Sequence, residues 1–250
     1  MPPLVTRTWG DGPPLVLLHG FTQTAAAWGP FGQLLGCHRT IVAVDLPGHG
    51  GSASIAANLE ETADRVLELF DDEPFDLLGY SLGGRVALTL ALTRPGRLSS
   101  LILVGSTAGI EDPVEAADRR RRDEALATQI EAEDDVPAFV ERWLAQELFA
   151  DLGAEEAEVH ARLANTAAGL ADSLRRSGAG TQVSRWDQLA DLTIPTLVIA
   201  GEDDQKYSAL GRRMVDLLPD GRLVVIAGAG HACHLTRPSD TAAVVEGWLG

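Results

Sequence analysis

The chain has 250 residues, 45% of them hydrophobic, a mean hydropathy of +0.04 and a formal net charge of -16 at pH 7. That length and balance suit one large α/β domain, with or without an insertion, and argue against disorder. The acidity argues against a nucleic-acid surface or an anionic membrane as partner, because both need a basic face.

Cys37 and Cys233 are the two cysteines and show no CxxC spacing, so neither a disulfide framework nor a zinc site is expected. The first residues, from Met1 to Arg7, carry no apolar leader core, and no later run is long enough to span a bilayer. The expected location is the cytoplasm.

Leu15 to Leu18 is a short apolar run between Gly12-Pro13-Pro14 and Gly20, the pattern of a buried parallel strand, and His19-Gly20-Phe21 follows it. Ala25 to Leu35 reads as helix, and Thr40 to Asp45 as a second buried strand ending in the breaker-rich loop from Leu46 to Ser52. An amphipathic helix begins at Asn58 or Glu60 and runs to Phe70, with Leu59, Ala63, Val66, Leu67 and Phe70 at helical spacing. Phe75 to Leu78 is the next strand, Gly84 to Thr93 the next helix, and Leu101 to Val104 the strand after that. This β-α alternation predicts a mainly parallel sheet covered on both faces.

The rhythm breaks after Gly105 to Gly109. From about Asp112 to Ser184 the pattern is helical and rich in Ala, Glu and Arg, which predicts a helical cap over one end of the sheet. The expected division is an α/β core of residues 1–108 and 185–250 and a cap of residues 109–184. Strands resume at Thr196 to Ala200 and Leu223 to Ile226, and a helix from Ser239 to Leu249 closes the chain.

Between the third and fourth of these elements on the sheet stands Gly79-Tyr80-Ser81-Leu82-Gly83. A strand, G-x-S-x-G and a helix in succession form a nucleophile elbow, the sharp turn that lifts a serine oxygen off a sheet edge. The alternative, a chance match in a chain with 26 glycines, is weakened by the flanking strand and helix. The same architecture places an acid and then a histidine later in the chain. His231, in Gly228-Ala229-Gly230-His231, follows the last strand. Gly201-Glu202-Asp203-Asp204 follows the strand before it; Asp204 is the preferred acid, although spacing alone does not separate it from Asp203 or Glu202. His38, His160 and His234 read as surface or structural histidines, His19 as a shaper of the loop after the first strand, and His49 comes too early. Backbone N–H groups of Leu82 and Phe21 are the expected oxyanion donors.

Lys206 is the only lysine among the 20 basic residues and lies two positions after Asp204, which favours a specific role over solvation. Arg85 lies one turn into the elbow helix. Arg119 to Arg122 and Arg162 would be a solvated face on an isolated helix; above a pocket, some should point inward.

Taken together, Gly79 to Arg85, His19-Gly20-Phe21, Asp45-Leu46-Pro47-Gly48-His49-Gly50 and Gly201 to Tyr207 resemble the α/β-hydrolase superfamily, and within it the 2-succinyl-6-hydroxy-2,4-cyclohexadiene-1-carboxylate synthases of menaquinone biosynthesis. Arg119 with Asp123 to Ala127, Phe139 to Trp143, Leu148-Phe149 and Arg162 to Asn165 extend the resemblance over nearly the whole chain. It implies an α/β-hydrolase fold and a lyase that eliminates pyruvate from 2-succinyl-5-enolpyruvyl-6-hydroxy-3-cyclohexene-1-carboxylate without metal or cofactor. Ser81, activated by His231 and Asp204, would act as a base and not as an acylated nucleophile. It further implies a small anionic substrate with three carboxylates, contacted by His19, Tyr80, Arg85, Arg119, Trp143, Arg162 and Lys206, in a monomer or homodimer. Two positions depart from the pattern: Glu147 stands where proline is frequent, and Thr236 after His234 where an acidic residue is common. The competing expectations are a carboxylesterase or C–C bond hydrolase using the same three residues, and a catalytically silent binding module.

Overall fold

Leu77 and Leu78 are neighbours in the chain yet belong to different cores, because successive side chains of a strand point to opposite faces. The same split holds for Val16 and Leu18 against Leu15 and Leu17, and for Leu101 and Leu103 against Ile102. The computed structural model describes residues 2–153 and 158–250.

Seven strands form one sheet: β1 (Thr6–Trp9), β2 (Pro14–Leu18), β3 (Thr40–Val44), β4 (Phe75–Tyr80), β5 (Leu98–Val104), β6 (Thr196–Gly201) and β7 (Gly221–Ile226). Their spatial order is β1-β3-β2-β4-β5-β6-β7, with β1 antiparallel and every other pair parallel. One face packs against α2 (Leu59–Leu67), α3 (Leu82–Thr93) and α8 (Gln205–Leu217) through Val66, Val86, Leu90 and Met214. The other packs against α1 (Gly29–Leu35), α9 (Cys233–Thr236) and α10 (Pro238–Leu249) through Phe31, Leu35, Leu235 and Val245. Burying each such side chain fully is worth about 1.5–3 kcal/mol, so two continuous apolar layers hold the sheet.

Between β5 and β6 the described residues contain helices and no strand: α4 (Pro113–Glu133), α5 (Val136–Leu144), α6 (Val159–Arg162) and α7 (Ala167–Ser177). α4, α5 and α7 share a core of their own that includes Ala127, Ile130, Phe139, Leu170 and Leu174. Asp112 starts α4 by accepting from the N–H groups of Val114 and Glu115, and Pro113 supplies a preset φ at the first helical position. Part of the stretch expected to be helical, residues 154–157, lies outside the described residues.

The structure differs from the sequence expectation in several places, among them the short helix α9, which was not anticipated, and the helix expected to reach Phe70, which ends at Leu67. β1 was not anticipated, since Thr6-Arg7-Thr8-Trp9 is a mostly exposed edge strand without an apolar run. The expected helix from Ala25 begins only at Gly29, because the Ala25 N–H is taken by Asp45 Oδ1 at 2.6 Å and Gly29 has φ +45°. α8 was also unforeseen; it buries only Ser208, Gly211 and Met214, too thin a stripe to read. Among the described residues no helix is long and apolar enough to cross a membrane.

Candidate active site

Ser81 sits between the central strand β4 and helix α3 with φ +51° and ψ -106°, a backbone conformation a non-glycine residue keeps only when its surroundings enforce it. They do so on both sides. Its N–H donates to the Val104 carbonyl at 2.9 Å, and its own carbonyl accepts from the Arg85 N–H and the Ser106 hydroxyl. The flanking glycines permit the turn: a Cβ on Gly79 would lie 2.3 Å from the Gly83 oxygen, and one on Gly83 would lie 2.0 Å from the Leu18 oxygen.

His231 and Asp204 arrive on loops after β7 and β6, at the same edge of the sheet as Ser81. Ser81 Oγ lies 3.3 Å from His231 Nε2, and His231 Nδ1 lies 2.7 Å from Asp204 Oδ2. Asp204 is held by its second oxygen, which accepts from the Tyr207 N–H at 3.2 Å and so caps α8. Its rivals are placed elsewhere: Asp203 and Glu202 are exposed, and Glu202 accepts from the Gly228 N–H. A hydroxyl, an imidazole and a carboxylate are thus in series, the arrangement that lets the imidazole accept a proton from the serine while the acid steadies the resulting charge.

Phe21 and Leu82 lie beside the serine and line the same cavity. Their backbone N–H groups find no acceptor among the described residues. The two loops that carry them are locked together by the Gly83 N–H donating to the His19 carbonyl at 3.0 Å.

His19 does not line the cavity, contrary to its expected place among the substrate contacts. Its ring is fully buried, with Nε2 accepting from the Leu46 N–H at 3.1 Å and Nδ1 engaged with the Gly20 carbonyl at 2.8 Å. That pairing defines a neutral ring protonated at Nδ1, and burial lowers its pKa to about 4. Both nitrogens are spent on shaping the loop. His234, also fully buried, packs on Tyr80 with ring centroids 4.3 Å apart, whereas His38 and His160 are exposed.

The cavity above Ser81 has a volume of about 370 Å³. Tyr80, Arg85, Lys206 and His231 line it from the core, and Arg119, Trp143 and Arg162 from the inserted helices. Arg162 is 1% exposed and bonds the Thr22 hydroxyl; burial lowers its pKa to about 10, with Tyr80 and Glu158 opposing. Arg85 is also buried and brought down to about 10 by desolvation, which leaves it charged at neutral pH. Arg85 and Lys206 form no ion pair among the described residues, while Arg119 meets Asp123 at 2.8 Å. Trp143 stacks edge-on against Phe21 with centroids 5.0 Å apart, and its Nε1–H is buried without an acceptor among the described residues.

The sequence leaves open which arginines of the run Arg119 to Arg122 face the cavity, and it does not single out Tyr207. Arg122 lies three positions after Arg119 on the same face of α4, whereas Arg120 turns to the Gly180 carbonyl and Arg121 to Asp118. The i, i+3 spacing within the arginine run was the available signal. Tyr207 follows Lys206 and packs on the His231 ring at 4.5 Å; an aromatic three residues after the acid was its only trace. Among the described residues no cluster of three or more His, Cys, Asp or Glu could hold a metal ion.

This constellation pairs a proton-accepting serine–histidine–aspartate series and two open N–H groups with an electropositive cavity in an acidic protein. Residues 15–244 match the model of the alpha/beta hydrolase family. The chain is 32% identical over 247 residues to the 2-succinyl-6-hydroxy-2,4-cyclohexadiene-1-carboxylate synthase of Serratia proteamaculans (strain 568), covering 96% of this chain and 94% of that protein. Among solved structures it resembles MenH from S. aureus, with a TM-score of 0.90 and 28% identity over 98% of this chain and 97% of that one. It also resembles a thermophilic esterase from Thermogutta terrifontis (malate bound), with a TM-score of 0.83 and 26% identity over 98% of this chain and 92% of that one.

Proposed function

The chain belongs to the alpha/beta hydrolase family, and from that premise we propose that it is a carbon–oxygen lyase, a 2-succinyl-6-hydroxy-2,4-cyclohexadiene-1-carboxylate synthase of menaquinone biosynthesis. One observation carries the choice of lyase over hydrolase. In a chain of net charge -16, buried Arg85 and the cationic Arg122 and Lys206 line the space above Ser81 and form no ion pair among the described residues, while Asp123, the acid that lines it too, is engaged by Arg119 at 2.8 Å. Desolvating a guanidinium without a counter-ion is unfavourable unless a ligand supplies the charge. A substrate with three carboxylates supplies it, and a neutral ester does not.

The chemistry follows from the geometry. His231 Nε2 accepts the Ser81 proton, and the serine oxygen removes the proton α to the succinyl ketone of 2-succinyl-5-enolpyruvyl-6-hydroxy-3-cyclohexene-1-carboxylate. The electron pair moves to the ketone oxygen, whose developing charge the Leu82 and Phe21 N–H groups would receive. Its return through the ring expels the enolpyruvyl oxygen with its bonding pair, and that leaving group becomes pyruvate on protonation. Asp204 holds the imidazolium in register throughout. Base assistance of this kind is worth about 10²–10⁴-fold, and each oxyanion donor about 10²–10³-fold. No metal or cofactor is needed for these steps. We place the enzyme in the cytoplasm, as a monomer or homodimer.

The deciding experiment follows pyruvate formation from the purified protein and the enolpyruvyl substrate. Release well above the non-enzymatic background supports the lyase. Background release together with brisk turnover of p-nitrophenyl esters overturns it in favour of a serine hydrolase; the similar Thermogutta protein is an esterase.

A further inference from the structure

The Asp204 loop delivers a second side chain to the cavity. Tyr207 lies one position after Lys206 at the start of α8, and its backbone N–H is the group that holds Asp204 Oδ1. Its ring lies against the His231 imidazole, 4.5 Å between centroids and tilted by 47°. The Lys206 ammonium sits 5.6 Å over the same ring. The hydroxyl has no hydrogen-bond partner among the described residues, and its oxygen is not sealed into the core. A phenol half-buried in a cavity wall ordinarily finds a partner.

We propose that Tyr207 is a specificity-determining residue whose hydroxyl donates a hydrogen bond to a substrate carboxylate held between Arg85 and Arg119. Those two arginines are near enough for their charges to act on the Tyr207 hydroxyl, and both favour its ionised form, but burial first and the Asp204 charge beside it outweigh them and keep it protonated. A neutral phenol sharing a cavity wall with Arg85 and Arg119 is a donor suited to the anionic oxygen those guanidinium groups attract. Arginine supplies charge and lysine a mobile point charge; the tyrosine supplies direction, because its ring is fixed by packing on His231. Tyr207 thereby links two tasks. Its backbone N–H orients the acid of the proton relay, and its side chain reads the substrate. The inference rests on the reading of the cavity as a tricarboxylate site.

Tyr207→Phe removes the hydroxyl and keeps the ring on His231, and it is read out two ways. In turnover of the enolpyruvyl substrate, KM rises about tenfold, the order lost with one hydrogen bond to a charged group, while kcat stays within about twofold and its pH profile does not move. In calorimetry, propane-1,2,3-tricarboxylate, which needs no catalysis, binds the variant about tenfold more weakly than wild type. Equal KM and equal tricarboxylate affinity in the two proteins overturn the proposal, as does absence of tricarboxylate binding to wild type. So does a fall in kcat at unchanged KM with a shifted pH profile, which makes Tyr207 a support for His231 alone. If wild type releases no pyruvate yet Tyr207→Phe weakens tricarboxylate binding, the lyase assignment fails and the carboxylate contact stands.

Discussion

Arg85 Nη1 donates to the backbone carbonyl of Ser177 at 2.8 Å, so the helix that begins at Ser81 grips the end of α7 in the inserted segment. Only one guanidinium N–H is used in this bond, and the side chain lines the cavity without an ion pair among the described residues. On the proposed function, substrate binding and the seating of the inserted helices draw on the same side chain. Arg85→Ala is expected to raise KM for the tricarboxylate at least tenfold with a smaller fall in kcat. Arg85→Lys recovers little of the loss, because an ammonium cannot hold the Ser177 carbonyl and a carboxylate in one plane. Steady-state pyruvate release by the two variants checks this.

Removing any member of the proton relay should slow the reaction and leave binding largely intact. Ser81→Ala, His231→Ala and Asp204→Asn are each expected to lower kcat by about 10²–10⁴-fold. Propane-1,2,3-tricarboxylate affinity in Ser81→Ala should stay within about threefold of wild type, since the cationic side chains are untouched. An alanine variant that retains wild-type pyruvate release would remove Ser81 from the mechanism.

Gly83→Ala tests the elbow without touching any side chain of the site. The added methyl would meet the Leu18 oxygen at 2.0 Å in backbone that cannot retreat without disturbing β2. A destabilisation of about 1–3 kcal/mol is expected, visible as a lower urea midpoint, with loss of activity in whatever protein remains folded.

Three buried histidines make stability depend on pH. Desolvation lowers His19 to about 4 and His49 and His234 to about 3, against an ordinary value of 6.5. Each folded value lies below the unfolded one, so the unfolded chain binds protons that the folded chain refuses. The stability they support is whole above pH 6.5 and is lost as pH falls toward about 4 for His19 and about 3 for the other two. Urea titrations between pH 6.5 and 5 should show the fall. His234→Asn, which takes up no proton, should reduce the slope by up to about 1.4 kcal/mol per pH unit. An unchanged slope would mean that His234 is protonated in the folded chain.

Much of this protein was legible before its fold was known. Continuous apolar runs and period-3.6 patterns located every strand but the polar edge strand β1, and most core helices, because buried parallel strands must be apolar on both faces. The elbow was equally legible, since Gly79 and Gly83 are dictated by backbone contacts that leave no room for a Cβ. Local rules also mark Asp112 as the start of α4. What they could not do was choose among neighbours with the same chemistry.

Glu202, Asp203 and Asp204 are interchangeable acids on paper; only the turn into α8 aims one of them at His231, 2.7 Å away. Arg119 to Arg122 form one charge run in the chain, yet the packing of α4 directs Arg119 and Arg122 to the cavity and Arg120 and Arg121 elsewhere. His19 was legible as a loop histidine, but its exclusion from the cavity depends on the Leu46 N–H, 27 positions away in the chain, reaching its second nitrogen. Residue type and periodicity are properties of nearby positions and are written in the chain. Which of several like side chains meets a partner is set by contacts between segments distant in sequence, and these exist only once the sheet and the inserted helices have packed.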